Sequence, residues 1–374
     1  MIVVADINTL WRRKPFEALA ETLPVIGLAP RDVILAWRER RGNKSGNQST
    51  ASYHECPVLM PPGWASRFPA WSASRLWSVA GKKVRGLGSK ISGLVVTSPH
   101  YLPLVRLAKQ YVPTFYYCSD DYAQYAGWGS DVMLRLETEI VRQVAHSFFV
   151  STALAERAVK DYGVPTDKVS VSPNATSDDF LKPVAEEDLR ALLARHPQLR
   201  RPLVGVVGGI NERLDFELLL KCSSLREIGS LVMVGPIAAN LNNKAFDQLR
   251  QHPHCVFVGA QPHAELRAWM QALDVALIPY CESRFNQSCS PMRLFDHLAA
   301  GRPIVATAAC AQVGEFANVV RVGRSSDEVL SYLVEECRRI SDMVDIERRR
   351  ILAKKNTWAT RAENLKRVLH TGNH

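Results

Sequence analysis

Short apolar runs alternate with amphipathic segments along nearly the whole chain. In the first half, residues 2–5, 33–37, 93–97, 114–118, 147–150 and 169–172 read as strands, being short and rich in Val, Ile, Phe and Tyr. Helical periodicity fills the windows 14–23, 103–110, 131–144 and 153–162. The pattern then recurs, with strands expected at 203–207, 230–234, 255–258, 275–279 and 303–307 and helices at 215–223, 245–251, 263–271 and 291–300. Near-continuous apolar strands that alternate with helices predict parallel sheets covered on both faces. Two such series predict an α/β chain of two doubly wound domains, 1–182 and 183–325. A polar, proline-punctuated stretch around 180–202 forms the expected join. A charge-rich helical tail, 326–374, follows and could cross back to the first domain.

In open α/β sheets, ligands bind beyond the carboxyl ends of the strands, so two such domains facing a cleft would place function there. In this chain those ends are 6–14, Ser98-Pro99-His100, Ser119-Asp120-Asp121, Ser151, Pro173-Asn174, 208–213, Gly235-Pro236 and 280–293.

Composition narrows the class. At 374 residues, 47% hydrophobic and 22% charged, the chain is an ordinary globular one. No apolar run reaches the 18 residues a spanning helix needs, and no basic segment precedes the first apolar stretch, so no signal peptide is expected. The eight cysteines form no Cys-x-x-Cys pair and several sit in apolar runs. That suits buried thiols in a reducing, cytoplasmic setting and no structural zinc.

The net charge of +10 is concentrated in the first third. Residues 1–119 hold 16 Lys and Arg against six acids, while 120–374 hold 31 of each, and no acid lies between Cys56 and Ser119. Within that span Trp64, Arg67, Trp71, Lys82 and Lys83 mix tryptophan with basic side chains, as an anionic membrane surface requires. A solvated basic face with buried tryptophans is the alternative. No helix-turn-helix, zinc-finger or RNP-like string accompanies the patch, so no nucleic-acid partner is expected.

The segment most informative about chemistry is Ser288-Cys-Ser290-Pro291-Met292-Arg293-Leu-Phe-Asp296-His-Leu-Ala-Ala-Gly301-Arg-Pro. Ser290 as N-cap and Pro291 at the first helical position open a helix that Gly301 closes. A helix amino end is an anion site, Arg293 can add a bidentate contact, and Asp296 can accept from a ribose diol. A well-capped helix with a solvated arginine is the plainer alternative.

This string resembles the donor-binding helix of GT-B glycosyltransferases, enzymes of two Rossmann-like domains. Val207-Gly208-Gly209-Ile-Asn-Glu-Arg213 resembles the glycine turn that opens their second domain, and Val232–Pro236 and Val256–Tyr280 resemble the strands that follow. By this resemblance Gly208, Gly209, Arg213, Tyr280, Ser290, Met292, Arg293 and Asp296 bind a UDP-sugar, and neither a metal nor a separate cofactor is required.

In the first half, Phe115-Tyr-Tyr-Cys-Ser-Asp120-Asp121 is similar to the strand that carries the catalytic aspartate in the membrane-associated GT-B glucuronosyltransferase of xanthan assembly. The resemblance implies Asp120 as general base, with Asp121 the alternative or its tuner. It also implies a basic loop, Trp11-Arg12-Arg13-Lys14, near the acceptor. Retaining members of the broad group carry a glutamate eight residues before the ribose-binding acid; Ser288 stands there in this chain, which favours inversion.

The expected activity is therefore transfer of a sugar, with glucuronate one candidate, from a UDP-sugar to a lipid-linked oligosaccharide at the inner face of a membrane, in exopolysaccharide assembly. A nucleotide-sugar epimerase on the same fold and a non-catalytic nucleotide-sugar or membrane-binding partner are the competing readings. No Gly-x-Gly-x-x-Gly or P-loop string supports a dehydrogenase or a kinase.

Overall fold

The computed structural model describes residues 1–34, 37, 52–339 and 342–371. They form two compact units, one from the described residues within 1–173 and 358–371 and one from those within 174–357. Each is built on one all-parallel sheet, as the apolar runs predict.

In the first unit the strands are β1 (Ile2–Ala5), β2 (Val25–Asp32), β3 (Tyr53–Met60), β4 (Gly93–Val96), β5 (Thr114–Cys118), β6 (His146–Phe149) and β7 (Val169–Val171). They lie in the order β3-β2-β1-β4-β5-β6-β7. The order reverses at β1/β4, so the connections after these strands leave in opposite directions and open a crevice at their carboxyl ends. The core is strongly aromatic, with Phe16, Phe115, Tyr116, Tyr117, Phe148 and Phe149 sealed from solvent.

Two strands of this sheet escape the sequence pattern. β2 contains Gly27 and Pro30, and β3 contains Pro57, residues that read as strand breakers. Both prolines are tolerated because each lacks a strand neighbour on one side. Pro30 lies past the end of β1, and β3 is the sheet edge. The strand expected at 33–37 is displaced accordingly. Val33 and Ile34 follow β2, outside the sheet and exposed, while 35 and 36 lie outside the described residues.

The second unit carries β8 (Leu203–Val207), β9 (Ser230–Val234), β10 (Cys255–Gly259), β11 (Val275–Ile278), β12 (Ile304–Thr307) and β13 (Arg321–Gly323), in the order β10-β9-β8-β11-β12-β13. Its reversal falls at β8/β11. Trp269 and Phe295 are the largest sealed side chains of its core.

The joins fall elsewhere than at 182/183 and 325/326. Asn174 and Thr176 are tied by hydrogen bonds to Ser290 and Asp296, which puts them with the second unit. The helix Met343–Lys354 packs on the helix Met292–Ala300, so residues 326–357 complete that unit. The tail splits at Trp358. The helix Trp358–Thr371 packs on the helix Leu10–Leu19 and buries Ala362, Leu365 and Leu369 in the first core.

Two glycines let β8 and β9 end close together. Gly208 has φ 120° and Gly235 φ 147°, and a Cβ on Gly235 would run into the Gly208 carbonyl. Gly235→Ala is therefore expected to destabilise the second unit by about 1–3 kcal/mol from backbone strain alone. A urea-unfolding midpoint equal to wild type would show that the two turns can separate freely.

Candidate active site

At the carboxyl end of β1 the chain turns through Asp6, whose φ of 73° makes it the one left-handed non-glycine among the described residues. Such a conformation costs of order 1–3 kcal/mol and persists only where its surroundings hold it. Here the Arg12 guanidinium pairs with its carboxylate and the Asn8 N–H donates to it at 3.2 Å. Arg12 also lies 5.3 Å from the centre of the Tyr122 ring. Thr97, after β4, donates to the Ala5 and Asp6 carbonyls at 3.0 and 2.8 Å. The Tyr122 hydroxyl meets the Thr97 carbonyl and, at 2.8 Å, Ser119 Oγ. The ends of β1, β4 and β5 are thus laced by buried polar bonds.

This geometry corrects the expected basic loop. Trp11, Arg12, Arg13 and Lys14 form the first turns of the helix Leu10–Leu19. Arg12 is buried on Asp6, and Arg13 and Lys14 pair with Glu17 at 3.0 and 3.1 Å. The Trp11 ring nitrogen is buried without a hydrogen-bond partner. Charge is consumed locally because the turn packs its basic side chains against acids of the same segment.

Asp120 and Asp121 diverge sharply. Asp121 is 2% exposed and takes a two-pronged contact from Arg157 at 3.0 and 3.1 Å. Arg157 also reaches Glu137, whose buried carboxylate accepts from Tyr116 at 2.7 Å and Tyr162 at 2.9 Å. Asp120 is only half-buried. Its Oδ1 accepts the Asp121 N–H at 3.1 Å and its Oδ2 the Tyr125 hydroxyl at 2.8 Å. One carboxylate is locked in an ion-pair network; the other stays within reach of solvent. His100, held by Ser98 at 3.2 Å, sits edge-on to Trp128, and burial, then the Arg12 charge, lowers its proton affinity.

In the second unit the feature to explain is Arg293, in the first turn of the helix Met292–Ala300. Its Nη2 donates to the Gly209 carbonyl at 3.1 Å, and its guanidinium lies 5.3 Å from the Tyr280 ring centre. A Cβ on Gly208 would stand 3.0 Å from that Nη2, so glycine is what admits the arginine. Nη1 is buried with no hydrogen-bond partner. A buried N–H of a charged group left unpaired is costly and calls for a ligand or water.

Arg213 is placed differently. It donates to Asn286 Oδ1 at 2.9 Å and to Cys289 Sγ at 3.0 Å, and stacks near Tyr280 and Phe285 at 4.9 and 4.5 Å. It braces the loop and shares the Tyr280 ring with Arg293. Ser290 does not cap the helix, a second correction. Pro291 is the N-cap residue, and the Ser290 hydroxyl accepts the Asn174 N–H at 2.8 Å while its carbonyl accepts Asn174 Nδ2 at 2.7 Å. The helix amino end is therefore free of a side-chain cap. Met292 is half-buried beside it.

Asp296 accepts from the Thr176 hydroxyl at 2.7 Å. Burial pushes its carboxyl up to about 7, with Thr176 pulling part of the way back. His297 is sealed, and burial, then Arg293, drives it down to about 3, so it is neutral. Asn174, Thr176, Asn286, Arg157, Glu137 and Tyr125 carry no motif in the sequence. The one signal is that Pro173-Asn174 stands at a strand end.

The basic aromatic segment is mostly the helix Pro69–Gly86. Phe68 and Trp71 are each 50% exposed, Arg67, Lys82 and Lys83 are exposed, and Arg75 lies 5.7 Å from the Trp71 ring centre. Trp64, by contrast, is half-buried against Tyr101 at 5.9 Å. Among the described residues no helix is long and apolar enough to cross a membrane, and no group of three or more His, Cys, Asp or Glu could hold a metal ion.

Two parallel doubly wound units, the second with an arginine-bearing helix start against a glycine turn, have the architecture of GT-B glycosyltransferases, and this chain belongs to that group. Residues 18–175 match the glycosyl transferase 4-like domain and residues 201–353 the glycosyl transferases group 1 domain. The Bacillus subtilis (strain 168) protein TuaH, assigned by name to teichuronic acid biosynthesis as a glycosyltransferase, is 25% identical over 213 residues, 55% of this chain and 53% of that protein. The chain thus matches about half the length of this curated relative. In fold it is similar to Anabaena Alr3699/HepE in complex with UDP (TM-score 0.71, 12% identity, 99% of each chain). It is also similar to the sucrose-phosphate synthase of Thermosynechococcus elongatus (TM-score 0.72, 14% identity, 99% of this chain and 98% of that one).

The Asp296 carboxyl makes a pH prediction. The folded chain keeps this proton up to about pH 7, whereas an unfolded aspartate releases it near 4. Raising pH from 4 to 7 therefore costs folding stability, and the loss levels off above 7. The stability of Asp296→Asn relative to wild type should climb across that window and then stay flat. Urea midpoints for the two proteins that run parallel from pH 4 to 8 would contradict the assignment.

Proposed function

We propose that the chain is a metal-independent, inverting glycosyltransferase that takes its sugar from a UDP-sugar. In this reading the Gly208-Gly209 turn lets the backbone approach the donor, Arg293 Nη1 and the uncapped amino end of the helix Met292–Ala300 meet its diphosphate, and Asp296 accepts from the ribose. Asp120 takes the proton from an acceptor hydroxyl as that oxygen bonds to the anomeric carbon. The bond from this carbon to the diphosphate breaks, and UDP departs with the electron pair, its charge met by Arg293 and the helix dipole.

The observation that carries the proposal is the orphaned, buried N–H of Arg293 against a glycine turn. The half-buried Asp120 supports the assignment of the base, because its neighbour Asp121 is already neutralised by Arg157. UDP in the Anabaena HepE complex supports the donor class. A uronic acid such as glucuronate as the transferred sugar, and a cell-surface polysaccharide as the product, draw support from the teichuronic acid assignment of TuaH. A lipid-linked acceptor at a membrane accounts for exposed Phe68 and Trp71 beside Arg67, Lys82 and Lys83, since tryptophan favours the headgroup layer and each basic residue adds about 1 kcal/mol at an anionic surface.

Calorimetry with UDP and turnover on a panel of UDP-sugars test the two halves separately. Arg293→Ala should weaken UDP binding by about 1.5–3 kcal/mol, the worth of a hydrogen bond to a charged group. Asp120→Asn should bind UDP as wild type does and lose at least about 100-fold in UDP release. Unchanged affinity in the first variant would move the diphosphate elsewhere, and unchanged turnover in the second would remove Asp120 as base. For the membrane, co-sedimentation with vesicles should rise with anionic lipid and fall with salt, and the double variant Phe68→Ala/Trp71→Ala should weaken it. Binding indifferent to lipid charge would refute the surface.

A further inference from the structure

Between Asp120 and the surrounding aromatic side chains stands Tyr125, outside every motif of the sequence. Its hydroxyl donates to Asp120 Oδ2 at 2.8 Å, and its ring meets Tyr122 at 5.5 Å and Trp128 at 5.0 Å, both edge to face. Trp128 in turn stacks on Tyr122 at 5.8 Å with the planes 6° apart, and His100 closes its edge at 4.5 Å. The phenol is thus held by packed rings on one side and aimed at a carboxylate on the other. Asp120 Oδ1 takes the Asp121 N–H, and Asp121 is fixed by Arg157. Each oxygen of Asp120 therefore has a donor fixed by a separate part of the unit: the aromatic cluster and the Arg157–Glu137 network.

We propose that Tyr125 is the positioning residue of the catalytic base: it orients the Asp120 carboxylate and sets its proton affinity. This rests on the reading of Asp120 as the base. A hydrogen bond to the charged form of a carboxyl favours that form, so the phenol keeps Asp120 ionised and ready to accept a proton. Burial, and next the Asp120 charge, raise the phenol's own proton affinity well above its ordinary value, so Tyr125 remains a donor throughout the working range. The other groups around the pair are Tyr122 and Cys118 on the same segment, Arg12 with Asp6, His100 against Trp128, and Arg157 on Asp121.

The test is the Asp120 titration in the full chain, read by infrared difference spectroscopy with the Asp120→Asn spectrum subtracted to remove the other carboxyls and His100. Tyr125→Phe keeps the ring and loses only the hydroxyl, and its thermal melt checks that the fold survives. The Asp120 midpoint should rise by about one pH unit in this variant, and the acidic limb of UDP release from UDP-glucuronate or UDP-glucose should move with it. An unmoved midpoint would overturn the proposal, whatever the activity. If instead the midpoint rises while Asp120→Asn turns over normally, the base assignment fails and Tyr125 merely tunes a bystander; that outcome too rejects the proposed role.

Discussion

A guanidinium can lie flat against a backbone turn only where the turn carries no side chain, and much of the second unit follows from that constraint. Gly208 leaves room for Arg293, and Gly235 leaves room for the Gly208 carbonyl itself. With two adjacent strand ends drawn together, Arg293 spends one nitrogen on the Gly209 carbonyl and is left with another that the protein does not satisfy. Tyr280 supplies a shared aromatic face for Arg293 and Arg213. Arg213 is held by Asn286 and Cys289, so of two arginines at one ring, one braces the loop and the other keeps a buried nitrogen without a protein partner.

The first unit solves a different problem with the same means. Asp6 in a left-handed conformation, Arg12 buried upon it, and hydroxyls of Thr97, Ser119 and Tyr122 bridging three strand ends make a stiff polar floor. Above it two adjacent carboxylates are given opposite environments. Asp121 sits in an ion-pair network with Arg157 and Glu137, whereas Asp120, half-buried, accepts hydrogen bonds from the Tyr125 hydroxyl and the Asp121 N–H. Burial with a countercharge makes Asp121 a structural element, while its neighbour keeps partial access to solvent.

Much of the fold was legible in the chain because both sheets are parallel and buried on both faces, so their central strands are uninterrupted apolar runs. The strands at 2–5, 114–118, 203–207 and 230–234 are found where the pattern puts them. β2 and β3 were hidden by Gly27, Pro30 and Pro57; the two prolines are tolerated because each lacks a strand neighbour on one side. The helix stop at Gly301 was readable, since φ 76° demands glycine. The helix start was readable to within one residue, but its cap was not, because Ser290 turns to Asn174, a partner 116 residues away.

What the sequence determined by itself was periodicity, and hence two α/β units, together with the local chemistry of Arg293, Asp296, Asp120 and Asp121 as residues at strand and helix ends. Tertiary structure decided what each of these side chains is paired with. Arg12 and Arg213 look like Arg293 in a string of letters, yet the first is buried on Asp6 and the second clamped by Asn286. The physical reason is that a charge is made available or spent by groups brought to within about 3 Å of it, and those groups come from parts of the chain whose spacing carries no local signal.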